Sequence, residues 1–149
     1  MPFAAYATQD NMVAAFTEDE VKALTNMGDP TAGAVNVQVL NQALEEAAAE
    51  IDAYLGARYA LETVHALESY PTNLVRINCD IARYRLDNVN PRETVEDRYK
   101  AAIRFLESVT KGVATLGLET PTQGGDDAPV YKAPSPVFSS ETLSDYATF

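Results

Sequence analysis

The sequence predicts an all-α fold: a small helical bundle of three long helices, preceded by one or two short N-terminal helices and followed by an extended C-terminal arm. Apolar residues recur every three or four positions over three long stretches, which is the period of a helix with one buried face. Beyond residue 118 the chain is rich in Pro, Gly, Ser and Thr. We therefore expect a helical body, residues 1–118, and an arm, residues 119–149.

The N-terminal part of the chain predicts two short helices. A helical turn is expected from about Asp10 to Phe16. Thr17, with Glu20 three residues later, has the spacing of a capping box that opens a second helix. The stretch from Gly28 to Gly33 is expected to be a loop, because glycine, proline and aspartate cluster there.

The first long helix is expected from Asn36 to about Arg58. Its alanines favour the helical state and allow a neighbouring helix to approach closely. One apolar stripe runs along it and is predicted to face the core. The stripe consists of Val37, Leu40, Leu44, Ala47, Ala48, Ile51 and Leu55.

Two further long helices follow. The second is expected from Thr72 to Leu86, after Pro71, whose missing N–H costs nothing at a helix start. The third is expected from Pro91 to about Lys111, with Asn90 as its N-cap. A glycine directly afterwards supplies the C-terminal stop.

Composition and charge exclude several classes of protein. The 149 residues are 46% apolar and carry a net charge of -11, which fits one globular domain. An acidic excess argues against unaided binding to nucleic acid or to anionic membrane. One cysteine, Cys79, leaves no intrachain disulfide. No apolar stretch approaches the roughly 18 residues that span a bilayer, so we expect no membrane association.

The acidity is uneven along the chain. Residues 1–50 carry eight acids and one base, residues 51–118 carry nine of each, and residues 119–149 carry five acids and one base. The net charges are therefore -7, 0 and -4. A neutral central segment between acidic ends suits surfaces that face basic partners or repel DNA.

The sequence offers little that is typical of catalysis. His65, the single histidine, is predicted to lie in a loop, and a surface or packing role is favoured over that of a catalytic base. Glu46 and Glu50 have helical spacing but are interpreted as solvent-facing acids rather than an acid–base pair. No phosphate-binding glycine motif is present, so we expect no cofactor.

A structural ion-pair network is predicted at the junction of the first two long helices. The first helix supplies one acid and one arginine, and the second supplies an acid and an arginine three residues apart. Such a network would fix the relative register of the two helices. Its predicted members are Asp52, Arg58, Asp80 and Arg83.

Three segments resemble a family of small helical proteins encoded in Mu-like phages and prophages. They are AEIDAYLGARY at residues 49–59, DIARYRL at 80–86 and RYKAAIRFL at 98–106. Tyr6 precedes them and Lys111–Gly112 follows them, as in the family. The resemblance covers nearly the whole body, while the arm from Thr120 onward matches weakly.

That family is similar to the head-completion or head-to-tail connector proteins, also called neck adaptors, of tailed phages. The resemblance implies a structural virion protein without enzyme activity, in a ring typically of twelve copies beneath the portal. The implied partners are its own copies, the portal protein and a tail-proximal neck or tail-terminator protein. Double-stranded DNA would pass as cargo without sequence-specific binding. The implied location is the virion neck, with assembly in the host cytoplasm.

Two sets of residues would serve that role. Acids that could face the channel or a neighbouring ring are Glu18, Asp19, Glu20, Glu45, Glu46 and Glu50. Apolar anchors on the arm, for the portal or a neighbouring subunit, are Tyr131, Val137, Phe138, Leu143, Tyr146 and Phe149. The alternative is an acidic helical regulator or inhibitor that binds a basic protein.

Overall fold

The computed structural model describes residues 3–87 and 89–118, which form six α-helices and, within those ranges, no β-strand. The all-α prediction is confirmed. The predicted arm, residues 119–149, lies outside the described residues. The helices are α1 Gln9–Phe16, α2 Glu18–Thr25, α3 Val37–Leu55, α4 Leu61–His65, α5 Thr72–Leu86 and α6 Glu93–Thr110.

The three long helices α3, α5 and α6 pack around one apolar core, and the short helices α1 and α2 cover one side of it. Each long helix has one fully buried stripe at helical spacing, as predicted, because burying that face removes its apolar surface from water. The large apolar side chains of these three helices that have no solvent exposure are Leu40, Ile51, Leu55, Leu74, Ile81, Leu106 and Val109.

The start of α3 is capped by Asn36, whose side chain accepts a hydrogen bond from the N–H of Val39 at 3.3 Å. The helix ends at Leu55, three residues before the predicted end. Arg58 lies outside the helix, and its guanidinium donates to backbone carbonyls near the end of α6. Val37, predicted in the buried stripe, is 48% exposed because it lies in the unpacked first turn.

The capping box predicted at Thr17 and Glu20 is wrong. Thr17 has φ +73° and its backbone serves both helices, because its N–H donates to Val13 and its carbonyl accepts from Val21. Glu20 instead faces arginines of later segments. The capping box lies one helix earlier, where Thr8 and Asn11 bond reciprocally at the start of α1.

The predicted start of α6 is also wrong by two residues. Asn90 is not the N-cap, because Arg92 stays extended at φ -62° and ψ 145° and its guanidinium bonds Glu20. Gly112 ends the region as predicted, with φ +76°. The short helix α4 was not expected, and it places His65 at a helix end rather than in a loop.

None of the helices in residues 3–87 and 89–118 has both the length and the hydropathy needed to cross a bilayer.

Candidate functional site

A polar cluster fastens the N-terminal segment to the body. Tyr6 is only 2% exposed, and its hydroxyl donates to one carboxylate oxygen of Asp52 on α3. Nε2 of His65, at the end of α4, lies 3.0 Å from the other oxygen of Asp52. One carboxylate therefore joins the N-terminal segment, α3 and α4.

Aromatic rings close this cluster. Phe3 stacks on His65 with a centroid distance of 3.7 Å and an interplanar angle of 5°, and Tyr6 meets Tyr70 edge-on at 5.0 Å. Burial, then the hydrogen bond to Asp52, raises the pKa of Tyr6 far above its ordinary value of 10.0. The phenol is therefore a permanent donor at neutral pH.

A buried asparagine makes the second attachment of the N-terminal segment. Asn78 on α5 has no solvent exposure. Its side-chain oxygen accepts from the N–H of Ala7 at 2.8 Å, and its amide nitrogen donates to the carbonyl of Leu44 at 3.1 Å. One side chain thus connects the N-terminal segment, α5 and α3, and its placement was not anticipated from the sequence.

An aspartate, a histidine and a tyrosine in contact could transfer protons to a substrate. They can do so only if their polar atoms are open to a bound molecule. The Tyr6 hydroxyl and Nε2 of His65 both point at Asp52, and Phe3 covers one face of the imidazole ring. These groups are directed at one another rather than at an open cleft. The contacts favour the packing role expected for His65.

The predicted ion-pair network does not form. Among the described residues, no hydrogen bond or salt bridge joins any two of its four members. Each side chain has its partners elsewhere: Asp52 and Arg58 contact α4 and the end of α6, while Asp80 contacts α6 and Arg83 contacts α1 and α2. The observed pairs are Asp52 with Tyr6 and His65, Arg58 with the carbonyls of Val109 and Ala114, Asp80 with Arg98, and Arg83 with Glu20.

A second polar cluster joins α2, α5 and the segment before α6. Glu20 accepts from the guanidinium groups of both Arg83 and Arg92. Arg83 is 9% exposed and its guanidinium carbon lies 4.4 Å from the ring centre of Phe16, a cation–π contact. Burial lowers the pKa of Arg83, and Glu20 opposes that effect.

A third cluster joins the middle of α3 to α5 and α6. Glu50 accepts from Arg85 at 2.6 Å and from the hydroxyl of Tyr99 at 2.8 Å, and Glu46 lies 3.4 Å from the same arginine. Tyr99 stacks on Tyr84 with a centroid distance of 4.1 Å. Burial and the bond to Glu50 raise the pKa of Tyr99 to about 12.

The six acids predicted to face a channel fall into two groups, those that contact an arginine in these clusters and those that are exposed outside them. Glu20, Glu46 and Glu50 each contact an arginine of the same chain, which offsets their charge. Glu18, Asp19 and Glu45 are exposed. Asp19 is 93% exposed on its side chain, although Lys22 lies 3.3 Å away. The exposed acidic surface of this region is therefore smaller than the sequence suggested.

One sequence-based prediction lies outside these observations. The six arm anchors belong to the part of the chain that the structure does not describe; they are Tyr131, Val137, Phe138, Leu143, Tyr146 and Phe149. In the described part, no group of three or more His, Cys, Asp or Glu side chains lies close enough together to hold a metal ion.

Comparison with known proteins shows that this chain is similar to phage proteins. The model of the family described as Bacteriophage Mu, Gp36 matches residues 6–130. The chain is 34% identical over 137 residues to "Gene product J" of Escherichia phage Mu, covering 90% of this chain and 94% of that protein. It is 34% identical over 113 residues to "Mu-like prophage FluMu protein gp36" of Haemophilus influenzae, covering 76% of each chain.

Proposed function

Because this chain belongs to the bacteriophage Mu Gp36 family, we propose that it is a structural protein of the virion. It acts as a head-to-tail connector that forms a ring below the portal and continues the DNA channel towards the tail. The observation that carries the proposal is the family match over residues 6–130, which includes the six helices of the described residues. The motifs at 49–59, 80–86 and 98–106 resemble those of a family of Mu-like phage proteins, and that family is similar to head-to-tail connector proteins.

The partners follow from that position in the particle. The chain contacts its own copies, the portal protein above and a neck or tail-terminator protein below, with double-stranded DNA as passing cargo. The protein works in the virion neck after assembly in the host cytoplasm. Its role is binding and assembly rather than catalysis. In support, the Asp52, His65 and Tyr6 side chains are directed at each other.

The charge of the chain suits a DNA channel. Each phosphate that a lysine or arginine neutralises adds affinity and would slow transit. The exposed acids Glu18, Asp19 and Glu45 would instead repel the duplex or face a basic neighbouring ring. Arg83, Arg85 and Arg92 contact acids of the same chain, which reduces their availability to phosphate.

A phage that lacks this gene tests the connector role directly. We expect DNA-filled heads and finished tails that do not join, and restoration of joined particles when the protein is supplied in trans. Electron microscopy of the lysate provides the measurement. Normal joined particles in the absence of the protein would refute the proposal.

Charge reversal tests the acidic surface. The triple variant E18K/D19K/E45K is expected to slow DNA ejection or retain DNA in the particle. The control E62K/E68K/E107K changes net charge equally at three exposed acids elsewhere on the body. If both triples behave like the wild type, the acids do not act on DNA; if both impair ejection equally, net charge rather than this surface is responsible.

The second candidate is an acidic regulator that binds a basic protein, which the same exposed acids favour. The two roles differ in where the protein is found. A connector is present in purified particles at several copies per virion, whereas a regulator is absent from them. Quantitative mass spectrometry of purified particles separates these roles.

A further inference from the structure

A groove between α1, α5 and α6 contains polar groups that the structure leaves open. It consists of two lobes of about 310 and 350 Å³, and Arg76, Asp80 and Arg98 line both. The first lobe extends along α1 to Phe16, and the second extends along α6 to Phe105. Each lobe is large enough to accept several side chains of a bound peptide.

The floor of the groove holds an acceptor without a close donor. Asp80 is 9% exposed, and the nearest cation, Nη1 of Arg98, lies 3.7 Å from its carboxylate. Within residues 3–87 and 89–118 no group donates a hydrogen bond to Asp80, although most buried polar side-chain atoms have at least one hydrogen-bond partner. Burial raises the pKa of Asp80 even though Arg98, Arg76 and Arg83 oppose it. An incoming N–H group would satisfy this carboxylate.

The rim of the groove holds two donors. Arg76 is exposed and, among the described residues, forms neither a hydrogen bond nor a salt bridge. Arg98 is 48% exposed on its side chain, and its ion pair with Asp80 is wide, at 3.7 Å. The planar guanidinium group of arginine pairs well with carboxylates. The rim therefore favours an anionic ligand, because it is locally basic although the whole chain is acidic.

The second lobe has apolar walls beside these cations. Ile77 is 7% exposed, Phe105 is half-buried, and Ala101 leaves room between them. A ligand that fits carries carboxylates at one end and a branched or aromatic side chain at the other. Its backbone N–H groups would lie near Asp80. This pattern describes an extended acidic peptide.

We propose that this groove binds residues 126–132 of the arm of a second copy of the chain. Asp126 and Asp127 lie at Arg76 and Arg98, and Val130 or Tyr131 lies against Phe105. The arm carries five acids and one base, and the rim of the groove carries Arg76 and Arg98, so local electrostatic attraction favours this pairing. The inference rests on the proposed connector role, because it assigns a contact between copies.

The spacing of the two sets of residues agrees. Arg98 and Phe105 are seven residues apart on a helix, which is about 10.5 Å along its axis. Asp127 and Val130 are three residues apart, which is about 10 Å in an extended chain. Pro129 lies between them and favours the extended backbone that this match requires.

A contact between an arm and a groove also has the symmetry that a ring needs. The two surfaces differ, so each copy donates one and accepts the other. Such heterologous contacts close into rings when the rotation between neighbours permits. A contact of the arm with the groove of its own chain would leave the copies unconnected.

Charge exchange in the full-length protein tests the proposal. The groove variant is R76E/R98E and the arm variant is D126K/D127K. The readout is a photo-cross-link from benzoylphenylalanine placed at Tyr131, with ¹⁵N-labelled and unlabelled chains mixed so that links between copies are identified by mass. Cross-links are expected between copies, into peptides of α5 and α6.

Either variant alone should lose about tenfold in cross-link yield, because like charges then face each other. Mixing the two variants should restore the yield, since the basic arm then meets the acidic groove. The controls R104E/K111E and E141K/D145K make the same charge changes towards the far end of α6 and elsewhere on the arm, and they should leave the yield unchanged.

Three results would overturn the proposal: cross-links that persist in R76E/R98E, cross-links confined to one chain, or no cross-link at any concentration. Circular dichroism of each variant excludes unfolding as the cause of a loss. The connector role is tested separately by the phage that lacks the gene. If that phage fails to join heads to tails while cross-links persist in R76E/R98E, the groove assignment fails and the connector role stands.

Discussion

The Tyr6–Asp52 cluster and the Arg76–Asp80–Arg98 groove place an aspartate in opposite situations. Asp52 accepts a hydroxyl hydrogen bond and contacts a histidine nitrogen at 3.0 Å, and aromatic rings enclose the cluster. Asp80 is more deeply buried as a residue, yet its nearest cation is 3.7 Å away. The first carboxylate has hydrogen-bond partners within the chain, whereas the second receives no hydrogen bond from residues 3–87 and 89–118.

This difference between the two aspartates predicts that one site contributes to stability and the other to binding. A buried polar group with all its partners holds elements together, and removing one partner leaves the others unsatisfied at a cost. A buried polar group without partners contributes no such stabilisation, but it remains available to a ligand. We therefore expect substitutions around Tyr6 to change stability and substitutions around Asp80 to change binding.

The largest loss of stability is expected from Asn78→Ala. The substitution leaves the N–H of Ala7 and the carbonyl of Leu44 without their partner in a site with no solvent exposure. We expect the free energy of unfolding to fall by about 3 kcal/mol. Urea denaturation measures it, with exposed Asn73→Ala on the same helix as the control. A loss below 1 kcal/mol, on the order of a surface change, would contradict the role given to Asn78.

A smaller loss is expected from Asp52→Asn. The amide keeps the shape of the carboxylate but replaces one acceptor oxygen with an NH2 donor, so Tyr6 and His65 can no longer both donate to it. We expect a loss of about 2 kcal/mol in urea denaturation. Asp97→Asn, at an exposed position on α6, is the matched control. An equal effect of the two substitutions would show that the cluster does not fasten the N-terminal segment.

Alkaline pH should weaken the same cluster. The pKa of Tyr6 is raised above its ordinary value of 10.0, so the unfolded chain loses this proton first and stability falls as pH rises past 10. The contribution of one such group is up to about 1.4 kcal/mol per pH unit. Tyr6→Phe should cost about 1 kcal/mol at neutral pH and reduce the alkaline slope. Equal slopes in the two proteins, measured by denaturation from pH 9 to 11, would contradict this interpretation.

These two regions also show how far the sequence could predict the molecule. Apolar periodicity predicted the three long helices, and the bounds of α5 agree at both ends. Hydrophobic burial is repeated over many residues, so the pattern survives single exceptions such as Val37. The fold class could therefore be predicted from the sequence without knowing which residues contact each other.

The pairing of polar side chains could not be predicted in the same way. Asp52 was expected to bond arginines across two helices, but Tyr6 reaches it from 46 residues away in sequence. The partner of each polar side chain depends on how the helices pack, and the spacing of residues along the chain does not predict that packing. The capping box failed for the same reason, because Arg83 and Arg92 provide Glu20 with stronger partners than its own backbone.

The smallest effect is expected from Asp80→Asn, the same substitution as at Asp52 but in the open groove. Because the pKa of Asp80 is raised above its ordinary value of 3.8, the charged carboxylate opposes folding at neutral pH. The substitution should leave stability at pH 7 unchanged or raise it by no more than about 1 kcal/mol. Below pH 3.8 both side chains are neutral, so the difference between variant and wild type should vanish there. Urea denaturation at pH 7 and pH 3 measures both values. A loss of more than 1 kcal/mol at pH 7, beyond what a surface substitution gives, would mean that Asp80 and Arg98 stabilise the fold. The carboxylate of Asp80 would then have its partner within the chain, as that of Asp52 does, and would not be available to a ligand.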